Sequence, residues 1–404
     1  MNAGVLWITG EVPDREGGGG NQRQAYLLTA LAELVPVDLL VAGHVTDAAV
    51  LAAARRVVEV DCTETPMSRH RAVRRAKSAA TSWLARRPLD VAAHRGVRAA
   101  LAGRIASFGS VDAIVVHHQA LAPMLRSLPP TQVRKVLHLF HAAGDRADQL
   151  ALVAPQALQR ALLRRDGQNA RVVERDAIDR ADALVVTTDQ DAARLRRPGT
   201  PTVVVPQGID LERFVPSPLP AAPVVLFSGS LDYAPNVDGL LWFVATTWPL
   251  VRARVPDAQL LVVGRTPVPA VLALHERDGI SVHADVPEMA PWLAQARVSV
   301  APLRVGTGVR VKALEALAAG RPIVGTTTAL EGIPVGPDEA TIVDDPRELG
   351  AAIVALLRDD VLAARRAERG RAFAEVELSW ASSAARLRGA LLGDADAQEP
   401  TASC

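Results

Sequence analysis

"VPQGIDLERFVPSPLPAAP", residues 205–223, carries five prolines, at Pro206, Pro216, Pro218, Pro220 and Pro223. Proline locks φ and lacks a backbone N–H, so the stretch supports neither a helix interior nor a central strand and reads as an extended connector. Before it, short runs rich in Val, Ile and Leu alternate with longer alanine- and arginine-rich segments of helical spacing: "VLWITG", "VDLLVAG", "AIVVHH", "KVLHLFH", "ALVVTT" and "TVVVPQ". After Pro223 the alternation restarts with "VVLFSGS", "QLLVVGR", "ISVHADV", "VSVAPL", "PIVGTT" and "ATIVDD". Uninterrupted apolar runs of this length suit strands buried on both faces, and their alternation with helices is the pattern of βα units on parallel sheets. The expected architecture is two successive α/β domains, with the boundary at about residue 215.

Composition agrees. The 404 residues exceed the usual size of one domain and suffice for two hydrophobic cores. Lys and Arg total 45 against 44 Asp and Glu, a formal charge of +1, so no global field points to nucleic acid. The two cysteines, Cys62 and Cys404, are too few for a disulfide framework or a cysteine-based zinc site. The start "MNAGVLWITGEVPD" lacks a charged n-region, and no later run approaches the roughly 18 apolar residues of a membrane span. A cytoplasmic protein is expected, with a disordered tail over 393–404, "GDADAQEPTASC".

In open parallel sheets, ligands bind beyond the carboxyl ends of the strands, and two such domains are expected to face each other across a cleft. The loops after strands therefore carry the candidates. "GEVPDREGGGGNQRQAYLLTALAEL", residues 10–34, joins the first strand to a helix through a glycine run that lets backbone N–H groups approach an anion. Its spacing fails the dinucleotide fingerprint, and no P-loop lysine motif occurs. Arg23, in the first turn, opposes the positive helix end unless an anion or acceptor lies nearby. His117 and His118 end one strand run, and His138 and His141 another, where they can donate to a substrate oxygen or serve as packed structural groups. Asp189 and Asp191 form an Asp-x-Asp triplet that reads as a helix start in preference to a metal site.

Two further stretches stand out. Between Arg69 and Arg104 lie Arg71, Arg74, Arg75, Lys77, Arg86, Arg87, Arg95 and Arg98 against one carboxylate, Asp90. Val73, Ala76, Ala80, Trp83 and Leu84 share one helical face, so residues 69–104 read either as an ordinary solvated surface or as a peripheral contact with an anionic membrane face. "VGTGVRVKALEALAAGRP", residues 305–322, sets a glycine turn before Arg310, Lys312 and Glu315 at the start of an alanine-rich helix. Cations there oppose the helix dipole and become favourable beside a diphosphate.

Taken together, "GGNQR", "VVPQGIDLERFVP", "FSGSLDYAPNVDGLLWF", "LLVVGR", "APLRVGTGVRVKALEALAAGRPIVGTTTALEGI" and "ELSWASSAARL" resemble retaining glycosyltransferases of family 4, with the GT-B fold of two Rossmann-like domains. The similarity runs from about residue 4 to residue 391 and is most specific over 224–333, toward a bacterial subgroup of exopolysaccharide and cell-surface sugar transferases. The resemblance implies an acceptor-binding domain over 1–215, a nucleotide-sugar donor domain over 216–378 and a helix over 379–392 that is a candidate to pack back on the first domain. It implies hexosyl transfer from a nucleotide-diphosphate sugar to a sugar, lipid-linked glycan or small-molecule acceptor, with retention, no cofactor and no obligatory metal. Residue by residue, Glu315 matches the glutamate that accepts from the ribose hydroxyls, and Gly306, Thr307 and Gly308 match the loop under the diphosphate. Gly19, Gly20 and Arg23 match the amino-terminal glycine turn, His141 the histidine beside the transferring carbon, and Val286, Glu288 and Met289 the loop that contacts the base.

The chain departs from the pattern in two ways. Thr307 stands where many members have a donor-sugar glutamate, and Ser230 and Asn236 occupy the approximate places of a diphosphate-binding arginine and lysine. Arg310 and Lys312 are the expected substitutes, with His141 orienting the sugar in a front-face substitution. The alternatives are a sugar-nucleotide epimerase of the same fold and a catalytically silent sugar-nucleotide binder.

Overall fold

The computed structural model describes residues 4–17, 19–61, 88–128 and 132–393. Arg69 to Arg87, with Val73, Ala76, Ala80, Trp83 and Leu84, lie outside the described residues, as do Cys62, Cys404 and the rest of the tail from residue 394. The chain forms two compact units. The first holds the described residues up to Asp148, Ala161–Gln207 and those from Trp380 onward; the second holds Gln149–Arg160 and Gly208–Ser379.

The first unit carries, among the described residues, a seven-stranded sheet in the order β3-β2-β1-β4-β5-β6-β7. Its strands are β1 (Val5–Thr9), β2 (Val37–Ala42), β3 (Arg56–Val60), β4 (Ala113–His117), β5 (Arg134–His138), β6 (Ala183–Val186) and β7 (Thr202–Val204). Every pairing is parallel, with β1 between β2 and β4 in the registers Val5 to Val37 and Val5 to Ala113. Alternate residues face opposite sides: Val5 and Trp7 enter one core layer with Leu39, Val41, Val115 and Val185, while Leu6 and Ile8 enter the other with Leu40, Ile114, Val116 and Leu137. Both faces are thus covered, which explains the unbroken apolar runs. The terminal helix Trp380–Leu392 buries Ala384, Leu387, Ala390 and Leu391 in the first of these layers, and Trp380 stacks on Tyr26 with ring centroids 5.5 Å apart.

The second unit repeats the plan with six strands in the order β10-β9-β8-β11-β12-β13. They are β8 (Val224–Ser228), β9 (Gln259–Gly264), β10 (Ile280–Ala284), β11 (Val298–Ala301), β12 (Ile323–Gly325) and β13 (Thr341–Ile342), again all parallel. Val225 and Phe227 pack with Leu260, Val262 and Val300 on one face; Leu226 packs with Leu261, Val263 and Ile323 on the other.

From Gly208 onward the proline-rich stretch lies against the second unit. Arginines donate to several of its carbonyls: Arg371 to Phe214 O at 2.9 Å, Arg321 to Ser217 O at 2.5 Å and Arg297 to Pro220 O at 3.2 Å. Ile209 N–H also donates to Leu378 O at 2.9 Å. The chain accordingly leaves the first unit at Gln207, and residues 208–223 belong to the second.

The helix Ala143–Val153 starts in the first unit, after the β5 loop, where two buried carboxylates take its leading N–H groups. Asp191 accepts from Ala142 N at 2.9 Å and Glu174 from Ala143 N at 2.5 Å. Asp189 and Asp191 themselves lie in the first turn of the helix Asp189–Leu195, where Thr188 is the N-cap. Burial outweighs the backbone hydrogen bonds from Ala143 and Gly144 and raises the Glu174 carboxyl from 4.5 to about 7.

Two outcomes follow from these contacts. Because the folded pKa of Glu174 is raised, its ionised form opposes folding, and stability falls as pH rises from 4.5 to about 7. Glu174→Gln keeps an acceptor without the charge and should be more stable at pH 8, by on the order of 3 kcal/mol, in denaturant titrations, with the advantage shrinking toward acid pH. A Cβ at Gly264 would stand 1.7 Å from the Gly229 carbonyl oxygen. Gly264→Ala should therefore lower stability by at least about 3 kcal/mol in the same measurement, since backbone and not a side chain must move.

Candidate functional site

Each sheet reverses its order beside its first strand: β1 is flanked by β2 and β4, and β8 by β9 and β11. Connections leave such neighbours toward opposite faces, so the carboxyl ends of the pair open a crevice. In the second unit the loops entering it are those after β8 and β11, and most of the sequence candidates lie there.

After β8 the chain turns at Gly229, whose φ of 142° excludes most side chains and whose missing Cβ leaves room for Lys312. A Cβ would stand 3.0 Å from Lys312 Nζ and 2.9 Å from Asn236 Nδ2. Asn236, buried in the first turn of the helix Ala234–Thr246, donates from Nδ2 to the Ser230 carbonyl at 2.9 Å. Its Oδ1 accepts from Lys312 Nζ at 2.9 Å. The ammonium also lies 4.2 Å from the centre of the Phe227 ring, a cation–π contact. Ser230, Asn236 and Lys312 are thus one assembly, in which Ser230 contributes its carbonyl and Asn236 holds the lysine.

After β11 the loop passes through Gly306 at φ 134° and Gly308 at φ 79° before the helix Val311–Ala318. Arg310, at the N-cap position, turns its guanidinium back on that loop, donating from Nη1 to the carbonyls of Thr307 and Gly308. A Cβ at Gly306 would meet Arg310 Nη2 at 2.7 Å, so the glycine is what admits the arginine. Thr307 is half-exposed, and its shielded Oγ1 makes no hydrogen bond among the described residues.

The electrostatics follow from burial. Desolvation, with the nearby Arg310 charge, brings Lys312 from 10.5 down to about 7, against the opposing pull of Glu315. Desolvation raises the Glu315 carboxyl from 4.5 to about 6, with Arg213 and Lys312 working the other way. Arg213 is a neighbour that sequence reasoning missed, although it stands in the quoted proline-rich stretch, because nothing in its spacing marks a partner 102 residues on. Val286 and Met289, after β10, are half-buried against the core, and Glu288 is exposed. That loop opens at the same carboxyl edge, but β10 is the edge strand, separated from β8 by β9.

In the first unit, Gly19 and Gly20 begin the helix Gly19–Ala32 at the β1 side of the switch point. Arg23 is corrected by the structure. It is 2% exposed, and its guanidinium is spent on Val205 O at 2.6 Å, Pro206 O at 2.9 Å and Gln207 Oε1 at 3.2 Å. Burial lowers it to about 9. The acceptor that relieves a cation at this helix start is the chain's own backbone. His141 is half-buried with its Nε2 3.3 Å from Arg146 Nη1. His117 and His138 are fully buried, their Nδ1 atoms 3.1 Å apart, and burial holds both well below 6.5, so they form a neutral structural pair.

Residues 222–359 match the family model described as glycosyl transferases group 1, and residues 17–213 match the one described as glycosyltransferase family 4. The chain is 30% identical over 258 residues to a D-inositol 3-phosphate glycosyltransferase of Corynebacterium jeikeium, covering 55% of this chain and 60% of that protein. It thus spans about three fifths of that relative's length. It is 29% identical over 339 residues to a GDP-mannose-dependent alpha-(1-6)-phosphatidylinositol monomannoside mannosyltransferase of Mycolicibacterium smegmatis, covering 70% of this chain and 85% of the relative. Among solved structures, sucrose-phosphate synthase of Thermosynechococcus elongatus aligns with a TM-score of 0.69 at 20% identity, over 96% of this chain and 97% of that one. An alpha,alpha-trehalose 6-phosphate synthase of Burkholderia multivorans aligns at 0.65 and 14% identity, over 99% and 100%. At these identities the structural likeness establishes the two-domain fold.

Proposed function

Because the chain belongs to the glycosyltransferases of the group 1 and family 4 kind, we propose that it moves a hexose from a nucleoside-diphosphate sugar to an acceptor hydroxyl. In this reading transfer proceeds with retention and without a metal ion, in the assembly of a cell-surface polysaccharide or glycolipid. The observation that carries it is the Lys312 seat: an ammonium held by Asn236 and the Phe227 ring, beside a two-glycine loop in the switch-point crevice.

A diphosphate leaving group gains negative charge as its bond to the anomeric carbon breaks. Lys312, already placed and poorly solvated, meets that charge without reorganising. Arg310 acts through the loop, whose carbonyls it ties down, and adds a second positive charge close to the first. The Arg310 charge depresses Lys312, and an anion between them removes that cost. Glu315, one turn after Lys312, accepts from the ribose hydroxyls. The bond from the anomeric carbon to the phosphate oxygen breaks, the acceptor oxygen bonds on the same face, and the acceptor proton passes to the departing phosphate oxygen. His141, beside Arg146, orients the sugar. With cations in place to neutralise the diphosphate, no metal is required for that role.

No helix among the described residues is long and apolar enough to cross a membrane, and a peripheral membrane contact through 69–104 remains part of this proposal. The reading is tested by incubating the protein with a panel of UDP- and GDP-sugars and a bacterial membrane extract. Acceptor-dependent release of nucleoside diphosphate with a new glycoside is expected; an epimerised donor, or binding alone, would replace the reading with one of its alternatives. Lys312→Ala should lower turnover about 100-fold or more with little change in melting temperature. Nucleoside diphosphate binds the ammonium form, whose pKa in the free protein is about 7, so affinity should fall as pH rises above 7. The expected slope in calorimetric titrations approaches about tenfold per pH unit and flattens in Lys312→Arg. An affinity constant from pH 6 to 9 would remove Lys312 from the diphosphate site.

A further inference from the structure

At the switch point of the first unit, β1 and β4 deliver two titratable side chains, Glu11 and His118, that the steps above do not use. Thr9 Oγ1 fixes Glu11 by donating to its carbonyl at 2.9 Å and accepting from its N–H at 3.1 Å. His118 stands in the left-handed region at φ 77°, and the Ala120 N–H donates to its Nδ1 at 3.3 Å. A backbone N–H only donates, so Nδ1 accepts and the neutral ring carries its proton on Nε2. That nitrogen lies 4.0 Å from Glu11 Oε1. The separation is too long for a hydrogen bond, yet one hydroxyl oxygen beside the pair reaches both, accepting from Nε2–H and donating to the carboxylate.

The surroundings define what kind of molecule brings that hydroxyl. Asp90 Oδ2 lies 3.8 Å from His118 Nδ1, and Gln119 donates to it at 3.3 Å. Its Oδ1 lies 3.1 Å from His94 Nδ1. Burial works to raise the Asp90 carboxyl, but hydrogen bonding, first to His94 and also from Gln119, carries it below its usual value. Two carboxylates, Glu11 and Asp90, therefore border the crevice. On its other side Gly20 has no side chain: a Cβ there would stand 3.3 Å from Phe140 Cε2 and 3.8 Å from Glu11 Oε2. Half-buried Phe140 adds an apolar wall 6.4 Å from the His118 ring. A phosphate would need cationic partners, and Arg23, the arginine of this helix start, is spent on backbone carbonyls.

We propose that Glu11, His118, Phe140 and Gly20 form a subsite for an uncharged, hydroxyl-bearing ring, the acceptor of the transfer, and select against its phosphorylated form. Only the word acceptor rests on the transferase reading; the ligand chemistry rests on the subsite. Glu11 and His118 are positioning residues: they orient the hydroxyls, while the transferred proton leaves with the phosphate. The test uses the full-length protein and saturation-transfer NMR with methyl α-glycosides of glucose, mannose and galactose and their 6-phosphates as probes. At least one neutral glycoside should bind five times or more tighter than its 6-phosphate. Glu11→Gln should weaken the neutral probe and narrow that ratio at least threefold. His118→Asn, which tolerates the left-handed backbone, should weaken the neutral probe in a protein of unchanged melting temperature. Absence of binding by every neutral probe, equal or tighter binding of the phosphates, or indifference of the ratio to Glu11→Gln would overturn the assignment. Titration of UDP and GDP into the same samples separates the two readings. Loss of nucleotide binding with glycoside binding intact would fell the transferase reading alone, and the converse would fell only the subsite.

Discussion

The constraint on which both units depend is the reversal of strand order beside β1 and β8. A parallel strand must be followed by a crossover, and where neighbouring crossovers go to opposite faces the carboxyl ends of the strands are left uncovered. In the second unit this brings the turn at Gly229 and the loop of Gly306 and Gly308 into one crevice, although they are far apart in sequence. In the first unit it brings Glu11 and His118 together by the same rule. A single topological feature, used twice, supplies each unit with one place where polar side chains meet away from the core.

Glycine then decides how closely the chain can approach itself at these places. Gly264 lets the Gly229 carbonyl pass where a methyl group would collide, and Gly229 leaves space for the Lys312 ammonium. Gly306 admits the Arg310 guanidinium over its own loop. Lys312 is held by the neutral Asn236 side chain in a desolvated seat, and Arg310 donates to backbone carbonyls of its own loop. Such a site is poised for an anion, because the charge that burial penalises is restored when an opposite charge arrives.

Arginines outside the crevices show the opposite use of the same chemistry. Arg23, Arg297, Arg321 and Arg371 donate to backbone carbonyls in segments that no sheet or helix satisfies, and in doing so fix where each segment belongs. Arg23 keeps Val205 to Gln207 with the first unit, while Arg371, Arg321 and Arg297 keep Phe214, Ser217 and Pro220 with the second. A cation at a helix start and a run of prolines are each ambiguous in sequence, since the carbonyls that answer the first and the guanidinium groups that answer the second lie between 77 and 183 residues away.

What the amino-acid sequence determined by itself was local in origin: the apolar runs that become strands, the prolines that exclude regular structure over 205–223, the glycine turns and the Lys312 and Glu315 spacing on one short helix. These depend on dihedral freedom and on period, which a reader can count along the chain. What only the tertiary structure decided was partnership: that Arg23 turns inward, that Arg310 folds over its own loop, that Asn236 carries Lys312, and that Glu11 faces His118. Partnership depends on distance and desolvation, and both are set by the packing of segments whose separation along the chain says nothing of their separation in space.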